Sequence, residues 1–480
     1  MLKVKTINGW IQGVEGKREG NAVFLGVPYA EAPSGALRFA PPLPVEPWDG
    51  VRDCGRMSPA PVQSLRPEDK FDVAEAGCLT LNIYTPAQSG DERLPVLFWI
   101  YGGAFRGGAN ADPEFDGEAF ASLGAVVVVI NYRVSALGFF STKETERRIG
   151  CAVNAGTLDQ IAALKWVKAN IEAFGGDANR VTIFGQSAGG VSVRMLLTSP
   201  MTKGLFSGAI VQSGGGLNEA DLVRPKEEFQ QLCAECLVHA GWTEDDLFTR
   251  DAREVTATLE KSAREVLAGR ELALFQPFID GVTLYEVPGK AIARGEWQDV
   301  PVICGTMAGD SWMFSRKVRG EVTDKACFRG FALSTGQPWA RRALELGRRP
   351  LYVYFMDRTQ PPREQRGYSH GAPPFGASTP HGTEIAYLFG TLPVRGLAHT
   401  EFDYQLADQL RRYWVNFAVT GDPNGEGLPQ WPYNTEETPF AMHMTDDTIV
   451  AENIVTDPMA ERVVEYTVAH PGMLHNADGF

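Results

Sequence analysis

Val181, Thr182, Ile183 and Phe184 run directly into Gly185-Gln186-Ser187-Ala188-Gly189-Gly190, and this junction restricts the fold more than any other stretch. β-branched and aromatic side chains suit a pleated, buried strand. The apolar residues after Ser187 (Val191, Val193, Met195, Leu196 and Leu197) suit a helix. A strand that becomes a helix through one serine flanked by glycines needs a sharp backbone bend, which leaves the hydroxyl exposed at the end of a sheet. The pentapeptide alone carries little weight. With 51 glycines in 480 residues, a Gly-x-Ser-x-Gly arises by chance roughly once in five such chains. Its meaning depends on what surrounds it.

The surrounding sequence alternates strands with helices and contains no repeats. Short strands are expected at Trp10–Gln12, Val23–Gly26 and Leu81–Tyr84, in a part rich in Pro and Gly. Val96–Tyr101 is a continuous apolar run, and Ala125–Arg133 is apolar on both faces, as a central parallel strand should be. Between Asn154 and Phe174 the residues Ile161, Leu164, Val167, Ile171 and Phe174 recur every three or four positions and outline a helix face. Further strands are read at Gly208–Gly214, Val300–Thr306 and Leu351–Asp357, with a helical stretch from about Pro225 to Gln276. This order predicts an α/β fold, a large and mostly parallel central sheet flanked by helices.

Charge and cysteine usage exclude several classes. The net charge is −14 and no Lys/Arg cluster could track a phosphate backbone, so no nucleic-acid partner is expected. No run of about 18 apolar residues is present, so no membrane span is expected. "MLKVKTINGW" moves straight into strand-like alternation, without the features of a secretory signal, and "HNADGF" carries no anchor signal. The seven cysteines are scattered and odd in number, which is not a disulfide framework. Cys233 and Cys236 lie in the middle of the helical pattern "EEFQQLCAECLVHAGW". A redox CxxC belongs at a helix start, so these read as two small buried residues. No His or Cys pair completes a zinc site. The expectation is a cytoplasmic protein with no metal and no cofactor.

A serine hydroxyl becomes a nucleophile only when a base removes its proton, and that base needs an acid to hold it. Backbone N–H groups must also face the oxyanion that forms. After the Val96–Tyr101 strand, "YGGAFRGG" supplies small residues that let a backbone approach a ligand closely. "FLGVPYAEAPSGALRF", "GCLTLNIYTP", "NYRVSALGFF", "TLDQIAALKWVKANIEAFGGDANRVTIFGQSAGG", "TPHGTEIAYLFG" and "WPYNTEETPF" follow one another along the chain. In these segments, over nearly its whole length, the chain resembles the type-B carboxylesterases. That α/β-hydrolase family includes bacterial para-nitrobenzyl esterases, cholinesterases and neuroligins.

The resemblance implies an α/β-hydrolase catalytic domain over 1–480, with a helical, cap-like insertion at approximately 220–280 and a loop-rich segment at approximately 358–380. It implies Ser187 as nucleophile, His381 of "HGTE" as base, and the N–H groups of Gly103, Ala104 and Ala188 as oxyanion donors. His370, in "YSHGAPP", is the rival base, but lacks the Glu and the apolar run that follow His381. The family usually reads Gly-x-x-x-Asp-Glu-Gly around its acid. This chain reads "GTMAGDSWMF", with Asp310 in the Glu position and Gly309 where Asp is usual. Asp is one methylene shorter, so its loop must come closer to the histidine. Ser213 in "VQSGG" is a second-shell candidate, with strand termination as the plainer reading.

Other positions depart from the family's pattern. Gln186 stands where many members have Glu, so Arg38 or Arg133 needs another partner or must donate to the Gln186 carbonyl. Tyr101 stands where His is common. Cys78 matches a cysteine that is disulfide-bonded in secreted members, but its expected partner region has none, so Cys54 and Cys78 read as free thiols. The stretch between Asp310 and His381 is short for the family, which opens the cleft. Trp312, Phe105 and the loop near residue 370 are candidates to shape the pocket. The implied function is a serine carboxylesterase acting on a small-molecule ester through an acyl-enzyme. The alternatives are an amide or carbamate hydrolase on the same triad, or a non-catalytic binding protein of this fold. Acyl and alcohol preference and oligomeric state are not legible.

Overall fold

The expected alternation builds one eleven-stranded sheet. The computed structural model describes residues 1–480 except 68, 220–222, 269–273, 311–332, 360, 362–378, 436–437, 457 and 474–480. In chain order the strands of this sheet are β1 (Val14–Glu15), β2 (Ala22–Pro28), β3 (Thr80–Thr85), β4 (Leu94–Ile100), β5 (Val126–Ile130) and β6 (Gly176–Gln186). They continue as β7 (Gly208–Gln212), β8 (Val302–Met307), β9 (Tyr352–Met356), β10 (Phe440–Met444) and β11 (Ile449–Asn453). Across the sheet the order is β1-β2-β3-β5-β4-β6-β7-β8-β9-β10-β11. Strands β5 through β10 in that order run parallel, and the strands outside them are antiparallel.

The Val126–Ile130 run was expected to be a central parallel strand. It is parallel to β4 on one side and antiparallel to β3 on the other, so it marks where the sheet changes direction. It is buried throughout, which is what its unbroken apolar sequence requires. A separate small sheet joins Lys3–Lys5, Trp10–Gln12 and Val51–Asp53.

Helices cover the sheet. The 3.6-residue period read between Asn154 and Phe174 gives α1 (Ala155–Asn170), with a 3-10 turn over Ile171–Phe174. Next come α2 (Ala188–Thr198), α3 (Lys226–Ala240) and α4 (Ala252–Val266). The last two fall in the stretch expected to be helical. They are followed by α5 (Thr383–Phe389), buried at every residue, and α6 (Glu401–Thr420). One buried apolar cluster extends from Val4 to Val464. No helix among the described residues is long and apolar enough to cross a membrane.

Strands β4, β6 and β7 and helix α2 meet at very close range where β6 ends. A Cβ on Gly189 would lie 2.0 Å from the Ile100 carbonyl oxygen, closer than any real contact. Gly189→Ala therefore forces the backbone apart, at an expected cost of about 3 kcal/mol. A chemical-denaturation series should show the lower midpoint. An unchanged midpoint would mean that the packing is looser than described.

Candidate active site

The sharp bend expected at Ser187 is present. Ser187 has φ 58° and ψ −127°, a conformation rare for a residue with a side chain. Such backbone strain costs on the order of 1–3 kcal/mol and persists only where neighbours impose it. Here the Ser187 N–H donates to the Gln212 carbonyl at 2.8 Å, and the Ser187 carbonyl accepts from the Val191 N–H at 2.9 Å. Strand β7 on one side and helix α2 on the other thus hold the bend. Ala188 is the first residue of α2, so the positive end of that helix faces the serine.

His381 precedes the buried helix α5, and Asp310 follows β8. The imidazole Nδ1 lies 2.5 Å from Asp310 Oδ1, and the other carboxylate oxygen accepts the Met307 N–H at 2.9 Å. Asp310 is fully buried. The histidine loop is clamped as well: Arg395 donates to the Gly382 carbonyl at 2.6 Å and grips Glu114 through two nitrogens at 2.9 Å each. His370, the rival base, lies outside the described residues.

The two departures at 309 and 310 compensate one another. The Gly309 N–H donates to the Thr379 carbonyl at 2.8 Å, and a Cβ on Gly309 would lie 2.3 Å from that same oxygen. Only a glycine lets the loop that carries Asp310 come this close to the segment leading into His381. The missing side chain at 309 makes up for the missing methylene at 310.

The loop after β4 carries three consecutive positive-φ residues, Gly103 (99°), Ala104 (54°) and Phe105 (57°). It is pinned by the Arg106 N–H donating to the Gly103 carbonyl at 2.9 Å and the Ser135 N–H donating to the Phe105 carbonyl at 2.6 Å. The N–H groups of Gly103 and Ala104 take no part in these bonds. Tyr101 enters the loop stacked on Tyr132 at 4.6 Å, each hydroxyl donating to the other's carbonyl at 3.1 and 2.9 Å. Phe105 does not shape the pocket as expected; it is buried against Phe139 at 5.2 Å. Its positive φ turns the ring inward.

Neither arginine considered for Gln186 pairs with it. Arg133 makes a bidentate pair with Asp159 at 2.7 and 2.8 Å, and Arg38 pairs with Glu75 at 2.5 and 2.9 Å. Gln186 instead reaches the imidazole, its Nε2 lying 3.0 Å from His381 Nε2. With Nδ1 donating to Asp310, Nε2 is the acceptor of the neutral ring and the amide is the donor. Sequence reasoning missed this contact.

Behind Asp310 lies a second buried carboxyl, Glu384 of α5. Burial first, and then the Asp310 carboxylate, push its pKa up to about 7. Gln212 Nε2 donates to it at 3.4 Å. Ser213 sits beside this layer with φ 50°, its N–H bonded to the Gly305 carbonyl at 2.8 Å. Its hydroxyl has no hydrogen-bond partner among the described residues.

Ser187, His381, Gly103, Ala104 and Gln186 line one cavity of about 450 Å³. Trp312 and the loop near residue 370 lie outside the described residues, as do most residues of the 358–380 segment. Cys54 and Cys78 are free thiols, and the Cys78 thiol donates to the Glu75 carbonyl at 3.3 Å. Burial raises both Cys233 and Cys236, the latter to about 12, whereas a redox thiol needs a lowered value. No group of three or more metal-ligating side chains occurs among the described residues.

The carboxylesterase family model matches residues 1–331 and 326–461. The para-nitrobenzyl esterase of Bacillus subtilis is 33% identical, over 92% of this chain and 93% of its own length. A human cocaine esterase is 33% identical, over 90% of this chain and 85% of its own. The solved structure of a thermophilic para-nitrobenzyl esterase superposes with a TM-score of 0.80 at 30% identity, covering 97% of this chain and 99% of the other.

Gly309→Ala should push the acid loop off the Thr379 carbonyl and loosen the Asp310–His381 bond. Misplacements of about 1 Å cost up to about 100-fold in rate. Turnover of a p-nitrophenyl ester should therefore fall by about that factor in kcat, with KM little changed. Wild-type kcat in the alanine variant would show that the close approach is not needed.

Proposed function

Because the chain belongs to the carboxylesterase family, we propose that it hydrolyses carboxylic esters through an acyl-enzyme formed on Ser187. The relatives it matches over most of their length are named as esterases, and this chain is a carboxylic ester hydrolase. The observation that carries the assignment is the strained Ser187 sharing a cavity with an imidazole whose Nδ1 lies 2.5 Å from a buried Asp310.

His381 Nε2 takes the Ser187 proton as the hydroxyl oxygen attacks the ester carbonyl. The carbonyl oxygen becomes an oxyanion, which the N–H groups of Gly103, Ala104 and Ala188 stabilise. Such preorganised donors are commonly the largest contribution to catalysis. Asp310 fixes the tautomer with the proton on Nδ1 and supports the imidazolium. The imidazolium then protonates the leaving alcohol as the C–O bond breaks, and the acyl group stays on Ser187. Water repeats the sequence with the acyl carbon as its target, releasing the acid and restoring the serine.

Gln186 has a part in this cycle. Its amide donates to the nitrogen that must accept the serine proton, so it steadies the neutral imidazole before substrate arrives. It has to yield that nitrogen to the Ser187 hydroxyl when the reaction begins. The described cysteines are free thiols, which suits a reducing compartment, and we place the protein in the cytoplasm.

Ser187→Ala should abolish turnover of p-nitrophenyl esters, and Asp310→Asn should lower kcat by about 10⁴-fold, as in the trypsin-like triad. Both variants should keep the wild-type unfolding midpoint within a few degrees. A loss of less than about tenfold in Asp310→Asn would mean that another group orients His381.

A further inference from the structure

Resting on the ester-hydrolase reading above, we propose that the enzyme's preferred esters carry a second, anionic group, and that Arg106 is the residue that receives it. Arg106 lines the cavity that holds Ser187 and His381. The other two arginines of that cavity are occupied. Arg395 is locked onto Glu114 at 2.9 Å through two nitrogens, and Arg66 holds Asp69 at 2.8 Å. Among the described residues Arg106 is the cavity cation with no carboxylate partner.

The acidic groups of the cavity do not call for an external cation. Glu260 accepts from the hydroxyls of Ser64 at 2.8 Å and Ser135 at 2.6 Å. Asp112 accepts the Glu114 N–H at 2.9 Å, and burial first, then the Glu114 carboxylate, push its carboxyl up to about 6. Internal bonds thus engage these carboxylates, and Arg106, exposed at the cavity wall, is left without one among the described residues.

Position strengthens the case. Arg106 stands two residues after Ala104, on the turn that carries the proposed oxyanion donors. Its own N–H is bonded to the Gly103 carbonyl at 2.9 Å, and the Gly108 N–H to Gln63 Oε1 at 2.7 Å. The base of the side chain is therefore fixed relative to the point where the ester carbonyl would bind, while the long stem can reach into the cavity. A substrate carboxylate a few methylenes from the reacting carbonyl would meet the planar fork of the guanidinium, which matches carboxylate geometry. A neutral ester would leave the exposed guanidinium to water, with no carboxylate to pair it.

The test compares the half-ester mono-p-nitrophenyl glutarate with p-nitrophenyl valerate, its neutral counterpart of equal acyl length, by the ratio of their kcat/KM values. A ratio cancels any general damage to the loop. The wild type should favour the half-ester. Arg106→Gln should lower the ratio by about tenfold or more, the scale of a lost charge-assisted bond. Arg106→Lys should retain part of the preference, and the wild-type ratio should fall as salt is raised. A ratio unchanged by Arg106→Gln, with valerate still hydrolysed by the wild type, would overturn the specificity alone. Failure of the wild type to hydrolyse either ester would overturn the ester-hydrolase reading along with it.

Discussion

The close approach of backbones at the carboxyl end of β6 is the constraint on which the rest of the structure depends. Ile100 at the end of β4, Gln212 at the end of β7 and the first turn of α2 all converge on residues 185–190. There is no room for side chains at Gly185 or Gly189, where an added Cβ would meet carbonyl oxygens at 2.5 and 2.0 Å. Because this ring of backbone is rigid, the serine at its centre can be held at φ 58°. The same convergence brings the loop after β4 alongside Ser187: a Cβ on Gly102 would lie 2.9 Å from the serine Cβ. The proposed nucleophile and the proposed oxyanion donors are therefore positioned by a single packing solution.

The other half of the site follows the same logic one strand further out. The loops after β8 and β9 are joined by the Gly309 N–H bond to the Thr379 carbonyl, and this junction brings a short acid to the imidazole. Around it the protein keeps charge in order. Arg395 and Glu114 neutralise one another beside the histidine loop. Glu384, pushed up to about 7 by burial and by Asp310, limits the negative charge gathered behind the ring.

Much of this was legible in the sequence, for identifiable reasons. The β4 and β5 runs are continuous and apolar because both faces of the sheet are covered, the buried end of β6 is marked by Val181–Phe184, and α1 shows its buried face by its spacing. Ser187 and His381 are legible because each sits in a long local pattern. The acid was read from alignment with a motif it only partly matches, and the reason for Gly309 lies some seventy residues away at Thr379. No local signal could have revealed it. The Gln186–His381 contact and the Arg395–Glu114 clamp are equally long-range. Phe105 was misjudged because side-chain direction in a loop depends on backbone torsions that composition does not encode. The hairpin β10–β11 and helix α6 were not assigned. β11 is short and half-exposed, so its pattern is weak. In α6, Leu406, Leu410, Tyr413, Trp414 and Phe417 do carry a helical period, so a signal was there.

The central claim is that folding makes one serine out of the whole chain reactive. Labelling the native protein with a fluorophosphonate and mapping the modified peptide tests this most directly. The account predicts one equivalent of label, all of it on Ser187, lost when the protein is unfolded first or when His381 is replaced by Ala. Label on another residue, or equal label on native and unfolded protein, would contradict it.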